Sequence, residues 1–98
     1  MNYFMVDIEL PSYISEDFVS LIPFQRQTID NLMSEGVVVA YSLALDRSRL
    51  WVTIAAETEE EVEKIIAGFP LYKYMTPNIL ELIFHNSISN NFPVISLN

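Results

Sequence analysis

A chain of 98 residues with 13 acidic and 5 basic side chains, net charge −8, is long enough for one domain and no more. It is too acidic to bind nucleic acid or an anionic membrane surface, and having no cysteine it can form no disulfide, catalytic thiolate or cysteine-based metal site. Half of its residues are hydrophobic, yet a domain this short buries only roughly 60–65% of its unfolded surface, so apolar surface is expected to pack against a second copy.

From Tyr3 to Leu10 the residues alternate, with Phe4, Val6, Ile8 and Leu10 on one face and Tyr3, Met5, Asp7 and Glu9 on the other. Period two with β-branched residues predicts a strand, stopped by Pro11. The opening "MNYFMVDIEL" lacks a basic n-region and a cleavage-type apolar core, so no signal peptide is expected. Ser15 suits a helix cap, with Glu16 and Asp17 favourable in the first turn. Phe18, Leu21, Ile22, Ile29, Leu32 and Met33 then recur at helical spacing. Pro23 lies inside this pattern and is expected to kink or split the helix near Ser20 to Ile22. Gly36 is a natural stop.

"VVVAYSLAL" (37–45) predicts a second strand and is far shorter than a membrane span. A polar turn, "DRSR" (46–49), leads to a third strand, "LWVTIAAE" (50–57), so the two strands make a hairpin. Thr58 and Glu61 match a capping box. A second helix with Val62, Ile65, Ile66 and Phe69 on its apolar stripe follows, ending near Gly68 and Pro70. Asn78 to His85 reads as a fourth strand. Residues 1–86 thus form the domain, and 87–98 a polar, Asn-rich tail ending in the apolar "FPVISL".

The order strand, helix, strand, strand, helix, strand predicts an α+β fold, the ferredoxin-like βαββαβ with a four-stranded antiparallel sheet. Both helices would cover one sheet face. The other face would carry Tyr3, Met5, Asp7 and Glu9 from strand one, and Arg49, Trp51, Thr53 and Ala55 from strand three. Strand four would add Ile79, Glu81, Ile83 and His85. Strand two is too apolar on both faces to orient by pattern. A sheet needs a partner layer, so a homodimer packed sheet to sheet around a cavity is expected.

The stretch "GFPLYKYM" (68–75), between the second helix and the last strand, resembles a loop of muconolactone isomerases, which carry a similar Leu-Pro-Leu-aromatic-x-Tyr-Met sequence there. A first strand ending in Leu10 and Pro11, a long helix ending in Glu35 and Gly36, and the order of the remaining elements also fit. The resemblance spans roughly residues 3 to 87 and is most specific at Pro70, Leu71, Tyr74 and Met75. It implies a dimeric α/β barrel, with a pocket between sheet and helices or at the protomer junction. It also implies larger rings built from such dimers, with the tail reaching a neighbouring subunit; a mobile tail is the plain alternative. The activity implied is a proton shift on a lactone, without metal or cofactor; a cytoplasmic protein is the default expectation from the lack of a signal peptide and of a membrane-length apolar run. One departure bears on substrate. The family's second strand and following turn are rich in Arg, His and Trp, suited to a carboxylate-bearing lactone. Here Val38, Val39, Ala40 and Ser42 stand in that segment, and the basic groups are absent or moved to Arg47 and Arg49.

Such a reaction needs a base, stabilisation of enolate charge, and donors for the substrate. Asp7, Glu81 and His85 are the candidate acids and bases. Arg49 and Lys73 could hold an anion, while Tyr3, Tyr41, Trp51 and Tyr74 could line a pocket. Each has a plainer reading. His85 ends a strand, Glu81 could pair with Arg49, and Asp7 alternates as on any half-exposed strand. Lys73 could serve solubility, and Tyr74 and Met75 packing. With two glycines no phosphate-cradling loop exists, no nucleophile elbow is present, and one histidine without cysteine argues against a transition-metal site. Two functions fit: a cofactor-independent isomerase with a changed substrate, or a non-catalytic oligomeric domain that binds a small apolar ligand or only assembles. An acid or base at a cavity wall would mark the first, and a purely apolar interface the second.

Overall fold

Alternate residues of β1 (Asn2–Glu9) are buried, and Phe4, Val6 and Ile8 are at most 1% exposed. They line the face of a sheet against which both helices pack. The computed structural model describes residues 1–88. Beyond β1 it contains α1 (Glu16–Ser34), β2 (Val38–Leu43), β3 (Arg49–Ala56), α2 (Glu59–Ala67), a 3-10 turn (Tyr72–Tyr74) and β4 (Thr76–Glu81). The strands lie in the order β2-β3-β1-β4, and every neighbouring pair is antiparallel. This is the ferredoxin-like βαββαβ fold. Phe18 and Ile29 of α1, and Val62 and Ile66 of α2, join the β1 and β3 side chains in one core.

Both helices begin as the sequence predicts. The Ser15 hydroxyl accepts the Phe18 N–H at 3.1 Å. The Thr58 hydroxyl accepts the Glu61 N–H at 3.2 Å, while the Glu61 carboxylate accepts the Glu57 N–H at 2.8 Å. The end of α1 is a Schellman motif. Val37 N–H reaches the Leu32 carbonyl at 2.9 Å and Gly36 N–H the Met33 carbonyl at 3.1 Å. Gly36 has a φ of 78°, a left-handed conformation that glycine adopts without a Cβ clash.

Two expectations need correction. Pro23 does not split the first helix, which runs unbroken from Glu16 to Ser34. Pro23 is exposed, and so is Val19, whose carbonyl loses its amide partner. That carbonyl therefore lies on the solvent side, where water can replace the missing bond. The fourth strand begins at Thr76 and ends at Glu81, not at 78 and 85. Pro77 is accommodated because β4 is an edge strand. The ladder of β4 with β1 ends at the Phe4–Glu81 pair, although β1 continues to Asn2 beside β3; the last bond is Leu82 N–H to the Tyr3 carbonyl, 2.9 Å. The apolar tail piece "FPVISL" (92–97) lies outside the described residues.

The hairpin between β2 and β3 turns through Arg47, a non-glycine residue at φ 64°. Asp46 braces the turn by accepting the Ser48 N–H at 2.9 Å and the Ser48 hydroxyl at 2.6 Å. These bonds hold the Asp46 carboxyl below the usual carboxylate range. A left-handed Arg carries a Cβ penalty that glycine escapes. Arg47→Gly is expected to stabilise the fold by about 0.5–1 kcal/mol, after the entropy cost of glycine is allowed for, measured by urea unfolding. No gain, or a loss, would show that the Arg47 side chain contributes more than the strain removes.

Candidate functional site

Cross-strand register fixes which side chains share the face away from the helices. Tyr3 pairs with Ala55, Met5 with Thr53 and Asp7 with Trp51, so these six lie on that open face with Arg49, as the alternation predicts. Strand four presents the opposite set from the one expected. Glu81 pairs with Phe4 and Ile79 with Val6, which places both on the helix side, whereas Leu80 and Asn78 join Met5 and Asp7 on the open face. Glu81 is exposed at the end of its strand and so is not a buried carboxylate of the open face. On β2 a bulge intervenes: Val38 opposes Ile54, but Ala40 opposes Thr53. The extra residue, Val39, turns Ala40 and Ser42 to the open face and Tyr41, opposite Val52, to the helix side.

One end of the open face holds a cleft. Tyr3 and His85 stack there, with ring centroids 5.2 Å apart and planes tilted by 38°. The cleft has a volume of about 500 Å³, and its walls include Met33, Val38, Val39 and Ile88. A volume of this size accepts a small organic molecule. His85 and Tyr3, both half-buried, line it together with Asn86 and Ser87; the imidazole can exchange a proton, and the phenol, amide and hydroxyl can donate to a carbonyl.

Further along the face, Arg49 Nη1 lies 3.2 Å from Asp7 Oδ1. This pair answers the question of what partners Arg49: it is Asp7, not Glu81. Both side chains are partly exposed, so the pair contributes little stability. Its consequence is chemical, because the arginine's charge is already matched. Trp51, 38% exposed, extends beside it. Tyr3 and Asp7 are four residues apart on one strand, a span of about 13 Å, so the cleft and the ion pair are separate places on the face.

The remaining predicted residues lie elsewhere. Tyr74 packs edge-on against Phe18 at 5.2 Å and touches the core. Lys73 is exposed, with Nζ 5.3 Å from the Tyr74 ring centroid. A groove of about 610 Å³ between α2 and β4 is lined by Glu59, Glu60, Glu63 and Lys64, among others, and contains no predicted site residue. Among the described residues no group of three or more His, Asp or Glu side chains could hold a metal ion.

Gln25 escaped the sequence reading. It is 3% exposed, and its Oε1 accepts the Leu71 N–H at 3.1 Å. Its Nε2 is buried without a partner among the described residues, a state that costs about 1–3 kcal/mol. The signal was available: position 25 falls on the apolar stripe of α1, between Leu21 and Ile29, where a polar residue is out of pattern. Burial pushes the neighbouring Tyr41 hydroxyl pKa upward, opposed by the Gln25 amide and the charge of Arg26.

The fold and the cleft together define a ferredoxin-like α+β domain with two helices on one sheet face, no layer on the other among the described residues, and a cleft at one end of the sheet. The particular family is given by its sequence: muconolactone delta-isomerase matches residues 3–88, and the chain belongs to that family. A comparison with curated proteins returned no match.

The environment of Tyr41 leads to an alkaline signature. Its folded pKa lies above the unfolded value near 10. The stability this contributes is complete below that unfolded value and is lost as pH rises through the folded one. In a phenolate absorbance titration Tyr41 is expected to give a late component, above the ordinary tyrosine range. Tyr41→Phe should remove the late component; if the late component persists, it belongs to another tyrosine.

Proposed function

We propose that this protein is a cofactor-independent isomerase that moves a proton along a small lactone or related conjugated carbonyl compound. The observation that carries this reading is His85 packed on Tyr3 at the wall of a cleft that mixes apolar and polar groups, in a chain of the muconolactone delta-isomerase family. In the proposed step a C–H bond next to the conjugated system breaks and its proton passes to the His85 imidazole. The electron pair enters the conjugated carbonyl as an enolate, and the same imidazole returns the proton to a different carbon. The Tyr3 hydroxyl would donate to the enolate oxygen. Nothing is oxidised or reduced.

The substrate is proposed to differ from muconolactone in lacking a carboxylate. Arg49, the cation of the open face, is matched by Asp7, and strand two contributes only Ala40 and Ser42 there. Proton NMR in deuterated buffer tests this. An uncharged β,γ-unsaturated butenolide is expected to isomerise or take up deuterium faster than muconolactone, and His85→Asn should slow it about 100-fold or more. Faster turnover of muconolactone would overturn the substrate assignment. No exchange with either would overturn the isomerase reading.

We further propose that a second copy of the chain covers the open face. Trp51 is 38% and Leu80 50% exposed there, and the Asp7–Arg49 pair leaves no lone charge at its centre. Four strands about 4.8 Å apart and eight residues at about 3.3 Å each give a flat area of roughly 500 Å². With side-chain relief this approaches the ~800 Å² per partner of a standard interface. Sedimentation equilibrium should give at least twice the 11.3 kDa chain mass, and Trp51→Asp should lower it. A monomeric wild type, or an unchanged mass for Trp51→Asp, would overturn this assembly.

A further inference from the structure

The groove between α2 and β4 lies apart from the His85 cleft, and one of its walls is a sheet edge. In an antiparallel ladder, the residues of each hydrogen-bonded pair turn both backbone groups to each other, and such residues alternate along the strand. Leu82 N–H bonds the Tyr3 carbonyl, so Leu80 and Asn78 also turn theirs to β1. Ile79 and Glu81 therefore direct N–H and C=O outward, and neither amide finds a partner among the described residues. Pro77 faces outward too, where it has no N–H to leave unpaired. The other edge strand, β2, is interrupted by the bulge at Val39, so β4 is the regular open edge.

The side chains of this edge point into the groove. Pro77 and Ile79 line it, and α2 faces them with Glu59, Glu60 and Glu63. These carboxylates are exposed and make no ion pair among the described residues. Lys64 is the single base of the lining, and the ring of Tyr72 completes it. Among the described residues no three acidic groups are placed to hold a metal ion, so a cation recognised here is a larger, organic one.

We propose that the β4 edge and its groove bind an extended basic segment of another protein as a fifth strand. In antiparallel addition, the peptide residues opposite Ile79 and Glu81 exchange backbone hydrogen bonds with them. The side chains of those same residues point to the helix side, into the groove. Lysine or arginine there would bring its charge to the α2 carboxylates and lay its stem along Ile79 and Tyr72. A second copy is the poorer occupant, because its own edge strands, VVAYSL and TPNILE, contain no base. Residues 89–98 contain none either. The site uses neither His85 nor Tyr3 and stands whether or not the cleft turns over a lactone.

The test is a titration of the ¹⁵N-labelled full chain with an acetylated hexapeptide of alternating lysine and threonine, at about 150 mM salt to screen loose surface contacts. Saturable shifts are expected at Ile79 and Glu81 N–H, which should also become protected from hydrogen exchange. Leu80 N–H, already bonded to β1, should keep its protection. The same peptide N-methylated at its lysines keeps every charge but cannot donate to the edge, and should bind about tenfold more weakly or worse. Combining Glu59→Gln, Glu60→Gln and Glu63→Gln should cost about tenfold, with the spectrum reporting that the variant is folded. A glutamate–threonine peptide should not bind. Equal binding of the N-methylated peptide would leave only a charged patch and overturn the proposal. Shifts confined to β2, or no saturable shift, would also overturn it. So would protection of Ile79 and Glu81 N–H in the free protein, which would mean that another copy or residues 89–98 already cover the edge.

Discussion

The contact between Phe4, Val6 and Ile8 and the two helices is the constraint on which the rest depends. A sheet has two faces, and the described residues supply helices for only one of them. Once α1 and α2 settle over β1 and β3, the alternation of a strand sends Tyr3, Met5 and Asp7 to the face without a layer. Trp51 and Leu80 follow by register. Every candidate for chemistry or assembly on that face is therefore a by-product of how the core is filled on the other side.

The segment that carries the family resemblance belongs to the same constraint. Phe69, Leu71 and Met75 are buried, Tyr74 packs on Phe18, and Leu71 N–H is taken by Gln25. Pro70 and the 3-10 turn bring these groups under α1 just before β4 begins. The segment clamps the connection between α2 and β4 onto the first helix. Its most specific residues thus hold the fold, and reacting groups must be sought elsewhere. Tyr72 and Lys73 are the side chains of the segment left in solvent.

Much of this was legible in the sequence because the signals were local. Strands one and three alternate cleanly, and the caps at Ser15, Thr58 and Gly36 are single-residue chemistry. The misread parts depend on pairing, which one strand's pattern does not contain. Strand two has apolar residues on both faces, and the bulge at Val39 puts Val38 and Tyr41 on one side, although an unbroken period of two separates them. In strand four the side chains assigned to the open face belong to the other, because Ile79 pairs with Val6. That error carried Glu81 with it. His85 and Tyr3 come together only because the chain leaves the sheet after Leu82 and brings the ring back against β1.

The departure of strand two from its family then acquires a physical meaning. Its open-face positions are small, Ala40 and Ser42, and contribute no charge to a ligand on that side. The arginine that remains on the face is held by Asp7. Meanwhile polar groups appear across the sheet, where Tyr41 meets Gln25 and Arg26 of α1. The Gln25 amide has a structural use there, because its Oε1 takes the buried Leu71 N–H that Leu or Met at position 25 would leave without an acceptor.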